Sequence, residues 1–318
     1  MNSKYTRILL LAPLLTALGA GPALSQVIYD STVSPQPGNL PSVGAEAYAF
    51  KELGDSITFV GTARSPKTAT VTMSSWACQS GAWNTADCVT TLGATAPILI
   101  TLKIYSTGSP TPGALIASVA QTFSIPYRPS ANSVKCTAIG TDSNGGNDSG
   151  KWYNAADNTC YNGFASNVTF DLSSLSGTLP NNVVYGLSYN TTHYGAAPIG
   201  ESALCFTASG GCFYDSLNIA LAPMVNVGTQ AFSGTVYQKS DFGSRYCDSG
   251  IAGTGTFRLD SPTNQCWIGY VPAVQFTAYT KATSVGACKN GGWQSVARAG
   301  GSPFKNQGDC IQYVNTGK

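Results

Sequence analysis

Pro97-Ile-Leu-Ile-Thr-Leu-Lys-Ile-Tyr105 places Ile98, Ile100, Leu102 and Ile104 at every second position, with Thr101 and Lys103 between them. Side chains two apart share one face of a strand, so this spacing predicts a β-strand with a buried and an outward face. The pattern recurs. Asn167–Leu172 puts Val168, Phe170 and Leu172 on one side, and Val183–Tyr189 aligns Val183, Tyr185, Leu187 and Tyr189. Ser56–Phe59, Thr70–Met73, Leu217–Leu221 and Val274–Tyr279 read the same way. Between them run turn clusters such as Ser106-Thr-Gly-Ser-Pro-Thr-Pro-Gly113. No window after the leader carries a 3.6-residue apolar stripe of helical length. Short strands with Gly/Pro turns predict an all-β chain, an antiparallel β-sandwich or jelly-roll-like domain.

Lys4 and Arg7 precede an apolar run from Ile8 to Ala20, and Ala23-Leu24-Ser25 supplies small residues before Gln26. This is the pattern of a secretory signal peptide over residues 1–25. The run is broken by Pro13 and is short for a bilayer span. Loss of Lys4 and Arg7 brings 17 basic residues down to 15, equal to the 15 acidic ones. A neutral chain lacks the cationic surplus that a nucleic-acid partner requires, and it has no electrostatic reason to bind a membrane. The expected location is extracellular, with no membrane insertion after cleavage.

Ten cysteines follow the leader, at 78, 88, 136, 160, 205, 212, 247, 266, 288 and 310. An even number behind a signal peptide implies disulfides in an oxidising compartment. Connectivity is open, and spacing favours neighbours: Cys78–Cys88, Cys136–Cys160, Cys205–Cys212, Cys247–Cys266 and Cys288–Cys310. With no Cys-x-x-Cys and a single histidine, His193, zinc spacing is absent, and no metal or cofactor is expected. The organisation read from composition is a sandwich over residues 26–280, a linker over 281–286 and a C-terminal disulfide-stapled module over 287–318. That module is expected to be hairpin-like, with Trp293 and Phe304 as its core.

Catalytic patterns are sparse. Gly54-Asp-Ser-Ile-Thr58 resembles the nucleophile block of GDSL/SGNH esterases, where the serine attacks an ester carbonyl. A base would have to be His193, in Asn190-Thr-Thr-His193, where that family has an Asp-x-x-His near the end of the chain. The plainer reading is a turn at Gly54-Asp55 leading into a strand from Ser56. Paired carboxylates of a glycoside hydrolase are the other catalytic option. The acids are scattered, however, and read as turn and cap residues, without apolar surroundings that would raise a pKa. Asp142–Asp148 offers oxygen ligands for Ca²⁺ but lacks an EF-hand register, and reads as an Asx turn.

Aromatics are the remaining lead. Trp76, Trp83, Trp152, Tyr153 and Trp267 lie close to cysteines in loops or at strand ends, where aromatic faces can stack on sugar rings. They are the candidate ligand-binding residues, with packing over disulfides as the competing reading.

Two stretches carry a resemblance. Cys288-Lys-Asn-Gly-Gly-Trp with Phe304-Lys-Asn-Gln-Gly-Asp-Cys310 resembles a tail found on bacterial secreted or surface proteins of unassigned function. Ile104-Tyr-Ser-Thr-Gly-Ser-Pro-Thr-Pro-Gly-Ala-Leu-Ile-Ala117 is similar to a hairpin of exported bacterial β-sandwich domains with variable C-terminal anchors. The resemblance implies a secreted bacterial β-sandwich and brings no catalytic residue. As no hydrophobic anchor or sorting motif precedes Lys318, release or loose wall association is expected. The function expected is therefore non-enzymatic binding of extracellular or cell-surface material such as polysaccharide. A secreted hydrolase and a purely structural surface protein are the alternatives.

Overall fold

The computed structural model describes residues 25–45, 50–83, 85–138, 147–175, 177–190, 217–241, 248–263, 266–299 and 301–318. The proposed leader, His193, Cys205, Cys212, Cys247 and most of the Asp142–Asp148 loop lie outside these residues.

The stretch Ile98–Ile104 sits within β5 (Thr95–Ser106), which pairs along its whole length with β6 (Leu115–Pro126). Ile98, Ile100, Leu102 and Ile104 are all buried, as their alternation requires. This hairpin ends one sheet, in the order β14 (Arg258–Leu259), β13 (Tyr237–Ser240), β3 (Phe50–Thr58), β10 (Asn182–Ser188), β5, β6, with β12 (Thr229–Gln230) also on β3. The second sheet runs β1 (Gln26–Asp30), β16 (Val274–Tyr279), β4 (Ser65–Ser75), β11 (Leu217–Ala222), β15 (Val271–Pro272). In it, β9 (Phe164–Asp171) pairs with β4 and β2 (Ser42–Gly44) with β11. A separate ribbon joins β7 (Trp152–Asn154) to β8 (Thr159–Tyr161). All pairings between these strands are antiparallel, so the chain is an all-β sandwich.

The inner faces meet through aromatic rings. Phe276 of β16 lies 5.8 Å from Tyr185 of β10 and 5.6 Å from Phe59, and Phe123 of β6 stands edge-on to Phe170 of β9 at 4.9 Å. Each fully buried Phe is worth ~1.5–3 kcal/mol relative to exposure, so such contacts between sheets hold the layers together. The first sheet also has an outer cover: Val184, Tyr237, Phe257 and Leu259 form a smaller buried cluster beside Tyr105.

Two sequence readings are corrected here. Gly54 and Asp55 form no turn: both lie inside β3, opposite Gly186 and Tyr185. The C-terminal module is helical rather than hairpin-like. A single-turn helix α1 (Val285–Cys288) starts on Ser284, and α2 (Gln307–Thr316) starts on Asn306, whose side chain accepts from Asp309 N at 2.9 Å. Such caps satisfy amides that a helix start leaves unpaired. Cys288–Cys310 links the two helices, and Phe304, Tyr313 and Val296 fill a small core with half-buried Trp293 at its margin. The short linker 281–286 is tied to its surroundings. Ala282 is buried, its N–H donates to Ala297 O at 3.0 Å, and Ala297 N donates to Thr280 O at 2.9 Å. The module is thereby docked against the end of β16.

Candidate functional site

Four of the five candidate aromatics gather at one end of the sandwich, where β4 ends and β5 begins. Trp76 and Trp83 meet edge to face at 5.0 Å, and Trp152 packs on Tyr161 at 5.5 Å and Phe164 at 5.6 Å. Gly163 is where the two groups converge. Its carbonyl accepts Trp152 Nε1–H at 2.6 Å, and a methyl on its α-carbon would sit 2.5 Å from Nε1 of Trp76. Tyr153 is held by its own loop, donating to Asn158 Oδ1 at 2.6 Å, with Lys135 over its ring at 5.6 Å. Trp76 and Trp152 also spend their indole N–H groups inside the protein, on Ser74 Oγ at 3.0 Å and Gly163 O at 2.6 Å. The Cys78–Cys88 and Cys136–Cys160 bridges close the adjoining loops. Among the described residues this end is therefore a packed cluster.

Trp267 lies elsewhere. It is buried and borders a cleft of about 370 Å³ lined also by Met224, Thr229, Gln230, Ser233 and Tyr270. By strand register Gln230 faces Ile57 and, through Val183, the far end of β5, opposite the aromatic cluster. None of the described residues lining the cleft carries a charge. Tyr270 is 40 % exposed and Met224 62 %, so the rim offers an aromatic face and a flexible apolar chain to solvent.

Two Gly-containing turns build it. Gly228 adopts φ +86°, a conformation most side chains avoid, and a methyl there would stand 2.6 Å from Thr58 O. That turn sets Thr229 and Gln230 against β3, where Ala231 N donates to Ser56 O at 2.8 Å. The second turn brings Trp267 and Tyr270 together, closed by Tyr270 N donating to Trp267 O at 2.9 Å.

Beneath the cleft, two buried carboxyls hold its polar side chains. Gln230 Nε2 donates to Asp55 Oδ2 at 2.7 Å and to Thr235 O at 2.9 Å. Trp267 Nε1 donates to Asp260 Oδ2 at 2.9 Å, while Asp260 Oδ1 accepts Val236 N at 3.1 Å. Burial pushes the Asp55 carboxyl well above its ordinary value of 3.8; hydrogen bonds from Ser56 N and Gln230 oppose the shift, and Asp260 reinforces it. Desolvation outweighs them because Asp55 faces the core beside Tyr185, with no cation among its described partners. The expectation that no acid has a pKa-raising environment is thus overturned at Asp55.

The serine of the esterase-like block, Ser56, is 1 % exposed within β3 and has no surface from which to meet an ester. Asp148 and Asp248, read as turn residues, are buried and paired with Lys151 at 2.7 Å and Arg258 at 3.0 Å. Sequence reasoning found Trp267 and missed Gln230, Tyr270 and the role of Asp55. Trp267-Ile-Gly-Tyr270 and Gly228-Thr-Gln230 were the available signals: polar and aromatic residues mounted on glycine turns.

Cys266, next to Trp267, is disulfide-bonded. Multiple disulfides are typical of proteins from oxidising compartments. Among the described residues no helix is long and apolar enough to cross a membrane. No protein-family model, no curated protein and no solved structure matches the chain.

Proposed function

We propose that this protein is a secreted, non-enzymatic β-sandwich that binds neutral polysaccharide outside the cell, through the cleft of Gln230, Trp267 and Tyr270. The observation that carries this reading is the absence of charge from the described lining of that cleft. A pocket for an acidic polymer, a phosphate or a nucleic acid carries Lys or Arg. A sugar ring instead offers an apolar face and hydroxyls, which an exposed Tyr together with Thr, Ser and Gln can match. The carboxyls nearest the cleft are engaged in holding Gln230 and Trp267, which favours binding over acid–base chemistry.

The experiment is affinity electrophoresis and calorimetry of the full chain on neutral glucans, xylans and mannans, with acidic alginate and pectate as controls. Retention by a neutral polymer, reduced about tenfold or more in Tyr270→Ala and unchanged in Tyr153→Ala, is expected. Absence of binding to every neutral polymer, or release of reducing ends from one, overturns the proposal. Secretion is checked by sequencing the N-terminus of exported protein, expected at Gln26.

A further inference from the structure

We infer that the cleft reads a hydrogen-bond donor on its ligand, through Oε1 of Gln230, and that this selects a glycan by one free hydroxyl at the bound position. The inference rests on the binding function proposed above and specifies its chemistry.

A glutamine amide carries two N–H donors and one carbonyl acceptor. Both donor contacts of Gln230 point into the protein, to Thr235 O at 2.9 Å and Asp55 Oδ2 at 2.7 Å. The Thr235 contact fixes which way round the amide sits. A main-chain carbonyl only accepts, so the atom facing it must be the NH₂, whatever the protonation state of Asp55. A flipped amide would set two carbonyl oxygens against each other. Oε1 is thereby the side-chain polar atom of Gln230 left for a ligand in the cleft that this residue lines. Trp267 is constrained in the same direction. Its one N–H is engaged by Asp260 Oδ2, so the indole contributes only apolar surface.

The side chains held from below therefore present one acceptor beside an apolar ring. The other polar side chains of the lining, Thr229, Ser233 and Tyr270, carry hydroxyls that rotate and accept or donate. Discrimination falls to Gln230, because its orientation is set before the ligand arrives. A hydroxyl that is free can donate to Oε1; one that is methylated or absent cannot, and leaves the acceptor desolvated without a partner. A site built around a ligand hydroxyl rejects analogues that lack it more strongly than an apolar pocket rejects a missing methylene.

The test uses the full chain with cellotetraose, xylotetraose and mannotetraose. The tetrasaccharide that binds is then compared with its mono-deoxy and mono-O-methyl derivatives. One derivative is expected to bind about tenfold more weakly to the native chain. The same derivative should lose nothing further in Gln230→Met, whose folding is checked by thermal melting. Equal losses in both proteins for every derivative overturn the inference while leaving glycan binding intact. Failure of all three tetrasaccharides to bind removes both. A second readout does not depend on the variant: the side-chain carbonyl ¹³C resonance of Gln230 should move on addition of the bound tetrasaccharide. An unmoved resonance at saturation also overturns the inference.

Discussion

Arg128 donates Nη1–H to the main-chain carbonyl of Trp83 at 2.6 Å. Its Nη2 donates to Gly150 O at 2.7 Å and its Nε to Pro129 O at 3.2 Å, so one fully buried cation is held by carbonyl oxygens. Trp83 belongs to the loop closed by Cys78–Cys88 and Gly150 to the loop closed by Cys136–Cys160. Burial lowers the guanidinium to about 10, which leaves it charged at neutral pH. Arg128→Met should cost ~1–3 kcal/mol, since the Trp83 and Gly150 carbonyls lose their charged donor. Urea unfolding measures the loss. Limited proteolysis should show new cuts in both loops; a variant as stable and as resistant as the native chain contradicts the role.

Asp55 makes stability depend on pH in a definite direction. Its carboxyl holds a proton in the folded chain at pH values where the unfolded chain, near 3.8, has released it. Folding therefore becomes less favourable as pH rises from about 4 toward the raised value, and that contribution is flat above it. Asp55→Asn cannot ionise and should lack this slope. Melting temperatures of the two proteins between pH 4 and 8 are expected to diverge with pH; parallel curves would show that Asp55 is ionised in the fold.

Gly228→Ala should unfold the cleft before the sandwich. The φ of +86° costs an L-residue roughly 1–2 kcal/mol, and the new methyl would overlap Thr58 O. A drop of ~2 kcal/mol or more, with glycan binding lost, is expected from calorimetry. Gly253→Ala is the control, since a methyl there meets nothing within 4 Å although φ is also positive. Equal effects at both positions would trace the loss to backbone strain alone.

The Cys288–Cys310 bridge should matter to the module rather than to the sandwich. It closes a separation of 22 residues, for which loop-closure entropy gives about 2–4 kcal/mol. In Cys288→Ser with Cys310→Ser, trypsin is expected to remove the segment beyond Tyr279 while the remaining core keeps its melting transition. Loss of the whole fold would show that the module supports the sandwich.

Much of the sandwich was legible because strand alternation is local. Ile98 to Ile104, Val168 to Leu172 and Val183 to Leu187 declare their inner faces without reference to partners. Gly54-Asp55 misled for the opposite reason. Its composition is that of a turn, and the pairing of Gly54 with Gly186 on one side and Tyr237 on the other makes it strand. The helical tail had legible caps in Asn306 with Asp309 and in Gly317, but the glycines after Cys288 drew attention to a turn. The cleft was least legible. Gln230 and Trp267 are linked through the contacts of Thr235, Val236 and Asp260, and nothing local to either residue announces the other.

The register of β1 against β16 sets Gln26 opposite Ala278. The sandwich strand that leaves the ribosome first is thus completed by the one that leaves last. Chains dominated by such distant pairings fold slowly, because the ends must meet before any contact rewards the meeting. A chain stopped short of Val274 has no partner for β1 along that edge, so that edge of the sandwich closes only when both ends of the domain are present.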